Sequence, residues 1–180
     1  SFLDHHLRCG NSLIGATVKV VKEGMEEVKV VDEGRYVNWE GREKVVPEQK
    51  AMYLFGSQFA GLLSATELMR QVGELTDSTF EEVQESQEKY ESAADALKPF
   101  KLILDLWTSE HFGNKDAQRF LTHGGDVEAF LKGNSRMPKK TSDLRQETET
   151  ISQTKYFFHW ELEFPEVFYE GAREKENPGF

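Results

Sequence analysis

Cys9 is the only cysteine in 180 residues, which excludes an internal disulfide, a cysteine-rich zinc site and a dithiol redox pair built from this chain alone. A reducing, cytoplasmic setting fits that usage. Long apolar runs are missing as well. No stretch reaches the about 18 residues that cross a bilayer, and Ser-Phe-Leu-Asp-His-His at the start has neither the basic nor the apolar region of a secretory signal. These absences predict a soluble, non-secreted protein with no membrane partner. Positive charge is scarce: Lys and Arg number 22 against 32 Asp and Glu, for a net charge of -10. The surface taken whole is therefore no nucleic-acid clamp, which needs cations to displace condensed counterions. Gly-x-Ser-x-Gly, Gly-x-x-x-x-Gly-Lys and Gly-x-Gly-x-x-Gly are all absent, so hydrolase, NTPase and dinucleotide-binding readings lack their loops.

What is present suffices for one core, since 38% of the residues are apolar. His6 to Gly15 reads as a short apolar strand entering a turn at Gly10-Asn11-Ser12. Thr17 to Lys22 and Glu27 to Val31 alternate, predicting a hairpin around Gly24. From Asp32 to Val46 the chain reads as loop or irregular strand, and Pro47 marks a helix start. The period then changes to that of a helix, through Met52, Phe55, Phe59, Leu62, Leu63, Thr66, Met69 and Val72. Asp77-Ser-Thr caps a second helix along Phe80, Val83, Gln87, Tyr90, Ala94 and Leu97, which Lys98-Pro99 breaks. Phe100 to Phe112 forms a third, the most buried, ended by Gly113-Asn114. Asp126 to Lys132 forms a short helix and Gly133 to Lys140 a flexible basic connection. Thr141-Ser-Asp143 then caps a helix towards Lys155. A strand-like aromatic run from Tyr156 follows, and Glu170 to Pro178 reads as a surface loop.

Candidate chemistry is thin along this frame. Asp4-His5-His6 is a weak metal signal, because neighbouring strand residues point to opposite sides and His111, His123 and His159 are scattered. We assign no metal ligands. Cys9 lacks a recognisable activating base. The pairs Glu26-Glu27 and Glu81-Glu82 sit in charged, solvated stretches. Tyr156, Phe157, Phe158, Trp160, Phe164 and Phe168 are interleaved with Glu161, Glu163 and Glu166 rather than with cations, which favours core packing over base stacking. Charge segregates. Glu74 to Asp95 is acidic enough to repel DNA, whereas Lys132, Arg136, Lys139, Lys140 and Arg145 form the single basic stretch.

Two stretches at opposite ends, SFLDHHLRCGNSLIG (residues 1–15) and FFHWELEFPEVFYEGAREKENPGF (residues 157–180), together resemble consecutive landmarks of the large single-chain restriction-modification enzymes of type IIG and related adenine-specific DNA methyltransferases. In that family they lie between the loop that binds S-adenosylmethionine and the catalytic Asn-Pro-Pro-aromatic motif. This sequence contains neither. Asn177-Pro178-Gly179-Phe180 imitates the catalytic motif, but Gly179 stands where the second proline belongs. By resemblance Gly179-Phe180 introduces the next strand instead, and no catalytic residue is assigned. Asn11 falls where such enzymes place a polar side chain near the cofactor adenine, so it is the one cofactor-binding residue implied, and only in the full-length parent. A turn asparagine after glycine is its structural alternative.

The resemblance implies a mainly α (α+β) fold: residues 1–46 as a strand-rich part of the methyltransferase core plus hairpin, 47–155 as a helical insertion, and 156–180 as a truncated return. The short end strands would belong to a doubly wound methyltransferase sheet. The function expected is that of an inactive fragment whose parent, with S-adenosylmethionine as cofactor, methylates adenine N6 in DNA on a flipped-out base. The fragment itself braces the core or offers Arg136, Lys139 and Lys140 to phosphate, and its uncovered core surface favours self-association. The alternative from another class is a self-contained acidic helical module that docks a basic protein.

Overall fold

The computed structural model describes residues 7–26, 35–37, 43–45, 65–72, 75, 79–123, 125–133, 137–170 and 173–176. Helices dominate among them. Helix α1 (Val18–Glu26) is followed by an antiparallel pair of short strands, β1 (Arg35–Val37) and β2 (Glu43–Val45). Residues 65–72 are helical (α2), and the 30-residue helix α3 (Phe80–Ser109) comes next. A 3-10 turn (Glu110–Phe112) leads to α4 (Ala117–Thr122), α5 (Val127–Lys132) and α6 (Lys139–Lys155). The chain closes with α7 (Trp160–Glu163), α8 (Pro165–Phe168) and a small pair, β3 (Tyr169–Glu170) with β4 (Arg173–Glu174).

Helix α3 organises the rest. Thr79 caps it, its hydroxyl accepting the Glu82 N–H at 3.2 Å, which satisfies one of the donors a first turn leaves open. The expected break at Lys98-Pro99 does not occur. Proline removes one helical hydrogen bond and crowds the preceding turn, at about 3 kcal/mol. Leu97, Phe100, Ile103 and Leu104, however, are all buried on either side of it, each contributing roughly 1.5–3 kcal/mol. Packing outweighs the local penalty. The expected stripe shifts too: Phe80 is 78% exposed and Gln87 exposed, while Ser86 and Ala93 are buried. As expected, residues 100–109 form the most buried stretch.

The predicted hairpin at residues 17–31 is corrected to a helix. Val18 and Val21, three apart, are buried, while Val20 is exposed. That is helical spacing, and the Thr17 hydroxyl accepts the Val20 N–H at 3.2 Å to start the helix. Gly24 turns no hairpin; its bare face receives the Trp107 indole, with which a Cβ would collide. The second predicted strand, Glu27 to Val31, lies outside the described residues, as do Pro47 and residues 46–64. Thr66, Met69 and Val72 are buried in α2, as their spacing predicts.

Helix α4 went unforeseen, although Ala117, Phe120 and Leu121 enter the core there. Asp126 caps α5, accepting the Ala129 N–H at 3.0 Å. Helix α6 begins before its predicted cap: Pro138 precedes Lys139, and Thr141, 1% exposed, is buried inside the first turn. Tyr156 to Phe168 is mostly two helical turns rather than a strand, because Pro165 fits a helix start and lacks a donor for a ladder. The strand predicted before Gly15 reduces to one isolated parallel bridge, Asn11 with Phe157. Glu170 to Pro178 is partly paired: Tyr169 faces Glu174 and Glu170 faces Arg173. No helix among the described residues is long and apolar enough to cross a membrane.

Candidate functional site

The two ends of the sequence that carry the resemblance meet in space. The Asn11 N–H donates to the Tyr156 carbonyl at 2.6 Å, and the Phe158 N–H to the Ile14 carbonyl at 2.8 Å. The Trp160 indole N–H reaches the Ser12 carbonyl at 3.1 Å. Close approach demands glycine here: a Cβ on Gly10 would strike the Phe158 ring, and one on Gly15 the Phe158 carbonyl. Phe158 then packs edge-on to Trp160 at 5.0 Å between ring centres.

Beneath this seam lie buried polar groups. His159 is 1% exposed. Its Nδ1 accepts the Ala16 N–H at 3.0 Å and lies 3.3 Å from the Ala16 carbonyl, and its Nε2 faces Asp105 Oδ1 at 2.8 Å. Lys101 also reaches Asp105 Oδ1, at 3.2 Å. Beside it, Glu161 Oε2 accepts the Val18 N–H at 2.7 Å and the Tyr169 hydroxyl at 3.1 Å. A carboxylate at the first residue of α1 compensates the open donors and positive end of that helix. The imidazole–carboxylate pair resembles the orienting half of a general base. Both ring nitrogens are engaged within the fold, so the pair fastens α3 to the N-terminal segment and has no nitrogen left for a substrate.

The sequence-predicted site residues are not brought together. Asn11 stands on the seam, exposed, its side-chain oxygen accepting the Leu13 N–H at 3.2 Å. That bond is the turn role open to any such asparagine. Arg136 lies outside the described residues. Lys139 and Lys140 are exposed at the start of α6, and Lys140 lies 3.8 Å from Asp116. Arg145, counted with the basic stretch, instead donates to the Phe130 and Leu131 carbonyls and closes α5. Lys132 pairs with Glu128 at 2.6 Å. Asn177 to Phe180 lie outside the described residues.

Sequence reading missed His159, Asp105 and Glu161 as a set. A signal existed: each is a polar residue within an apolar run, and buried polar groups need partners. Nothing in the sequence says which ones meet. Among the described residues no group of three or more His, Cys, Asp or Glu is placed to hold a metal ion. The seam borders a cleft of about 120 Å³ that includes Arg8, Tyr90 and Glu163.

No family model, curated protein or solved structure matches the chain.

Proposed function

We propose that this chain is a segment of an adenine-specific DNA methyltransferase of the restriction-modification kind, a helical insertion flanked by two stretches of the catalytic core. One observation supports the reading: Asn11 and Phe157, from the two stretches that resemble that family, form a parallel bridge with the helices inserted between them. Parallel pairs need long crossovers and are characteristic of sheets covered on both faces. In the whole enzyme S-adenosylmethionine would supply the methyl group that passes to the N6 amine of a flipped adenine. Asn11, an exposed member of the bridge, would face the cofactor adenine, and Arg136, Lys139 and Lys140 would meet phosphate. The segment alone, without cofactor loop or catalytic motif, is inactive. Leu7, Leu13, Tyr156 and Trp160, exposed along the seam, would be covered by the rest of the core and drive self-association without it. The setting is cytoplasmic.

Calorimetry with S-adenosylmethionine tests this, comparing the 180-residue chain with the longest natural polypeptide that contains it. The longer protein is expected to bind and to transfer labelled methyl groups to adenine in DNA, with Asn11→Ala weakening the cofactor. Absence of binding by both would overturn the proposal. The rival, an acidic module for a basic partner, draws on the solvent-facing Glu81, Glu85, Glu88, Glu91 and Asp95 beside exposed Phe80 on α3. It takes precedence if a basic peptide binds the chain tightly while the cofactor binds neither protein.

A further inference from the structure

Asn114 stands in the turn before α4 and is 0% exposed. Its Nδ2 donates to Ser109 Oγ and Thr148 Oγ1, both at 2.9 Å, and lies 3.3 Å from the Leu144 carbonyl. Each hydroxyl directs its own proton elsewhere, Ser109 to the Leu106 carbonyl at 2.7 Å and Thr148 to the Leu144 carbonyl at 2.8 Å. Both can therefore only accept from Asn114, which fixes which end of the amide is nitrogen. The other end, Oδ1, is buried with no donor among the described residues. Folded chains seldom leave a buried acceptor in that state.

The same side chain lines a cleft of about 160 Å³ between the start of α4 and α6. Asp143 and Glu147, exposed and four apart on α6, line it as well. Their carboxylates form no hydrogen bond or ion pair among the described residues, and like charges at that spacing repel. Asp116, a third carboxylate, lies 3.8 Å from Lys140, and Lys115 is the other cation of the lining. Three carboxylates against two ammonium groups leave the cleft one charge negative.

We infer that this cleft binds a primary ammonium group, the end of a lysine side chain or of a small amine. An ammonium carries three donors and no acceptor. One proton goes to Asn114 Oδ1 and the others to the carboxylates of Asp143 and Glu147. The ligand thus brings both the donor that Oδ1 lacks and the positive charge that the two carboxylates lack. Water brings the donor alone. A metal ion suits the lining less, because among the described residues no group of three or more His, Cys, Asp or Glu is placed to hold one. Leu144, also in the lining, offers an apolar wall to the methylenes behind the nitrogen. The cleft is far larger than the roughly 10–15 Å³ that admits one water, so part of that stem enters with the head. The methyltransferase reading plays no part in this site.

Titration of the 180-residue chain with butylammonium at constant ionic strength, followed by NMR at the Asn114 side-chain amide, tests the site. A saturating shift is expected. Tetramethylammonium, with the same charge and no N–H, should bind at least about tenfold more weakly, since it forms no charge-assisted hydrogen bond. Asp143→Asn with Glu147→Gln, both at exposed positions, should weaken butylammonium by at least about fivefold. The same neutralisation at Glu81 and Glu85, exposed and four apart on α3, is the control and should change it by less than about twofold. Lys115→Gln removes a competing cation and should tighten binding. A lysine peptide that outbinds butylammonium and loses the advantage on ε-acetylation assigns the ammonium to a protein; tighter binding of putrescine than of the peptide assigns it to a small amine. No saturating shift at Asn114, equal binding of the two cations, or equal losses in cleft and control variants would each overturn the inference.

Discussion

At the scale of single residues, the buried His159 has the most at stake. Replacing it with alanine strands the Ala16 N–H and leaves the buried Asp105 with Lys101 as its side-chain partner, and removing one partner of a buried polar pair costs far more than forming the pair gains. His159→Ala is expected to lower stability in urea unfolding by roughly 3 kcal/mol, whereas Lys132→Ala, at an exposed pair, should change it by less than about 1 kcal/mol. Gly15→Ala should cost about 1–3 kcal/mol because the Phe158 backbone must move to admit a methyl group. Histidine also supplies a pH test. Burial, and then the neighbouring Arg119 cation, hold His123 below its ordinary value of 6.5. The folded chain then binds fewer protons than the unfolded one just below that pH. Its contribution to stability is present above 6.5 and lost as pH falls. NMR titration of the imidazole checks the direction, and His123→Gln should flatten the corresponding part of the stability–pH curve. Glu67, hydrogen-bonded by Arg70 and Gln71, is pulled down to about 2 and should remain ionised throughout that titration. Gly10, Asn11 and Ser12 were legible as a turn because backbone preference is local. The partners of His159, 143 positions from Ala16 and 54 from Asp105, were not.

Among the elements, α3 tests the balance between local rule and packing. Pro99→Ala restores a hydrogen bond to the Asp95 carbonyl but frees the unfolded chain, so a net gain of about 1–2 kcal/mol is expected. Phe100→Ala should cost about 3–5 kcal/mol. A gain from the first and a loss from the second, measured by denaturation, would show that burial carries the helix across its proline. Asn114 makes the corresponding link to α6, donating to Ser109 Oγ and Thr148 Oγ1, both at 2.9 Å. The starts of α3 and α5 were legible from Thr79 and Asp126, whose caps act within three residues. Helix α1 was misread since Thr17 to Lys22 satisfies the alternation of a strand as well as the spacing of a helix. Val21 and Gly24 settle the matter only when Trp107 is in place.

For the molecule as a whole, the seam joins the first described residues to the last helical turns. Amide exchange should report it: the N–H groups of Asn11, Val18 and Phe158, bonded at 2.6–2.8 Å, should exchange only with global opening, and His159→Ala should speed them before it speeds Phe130 in the core. The sequence by itself determined a mainly helical chain with one core, a buried stretch after Phe100 and a solvent-facing acidic side on α3, because period, capping and charge act over a turn or two. Only the tertiary structure decided that Val18–Glu26 is a helix, that Pro99 is crossed and that the aromatic end folds as helical turns. Each of those outcomes is set by burial against residues remote in the chain, and distant contacts leave no periodic trace in a single sequence.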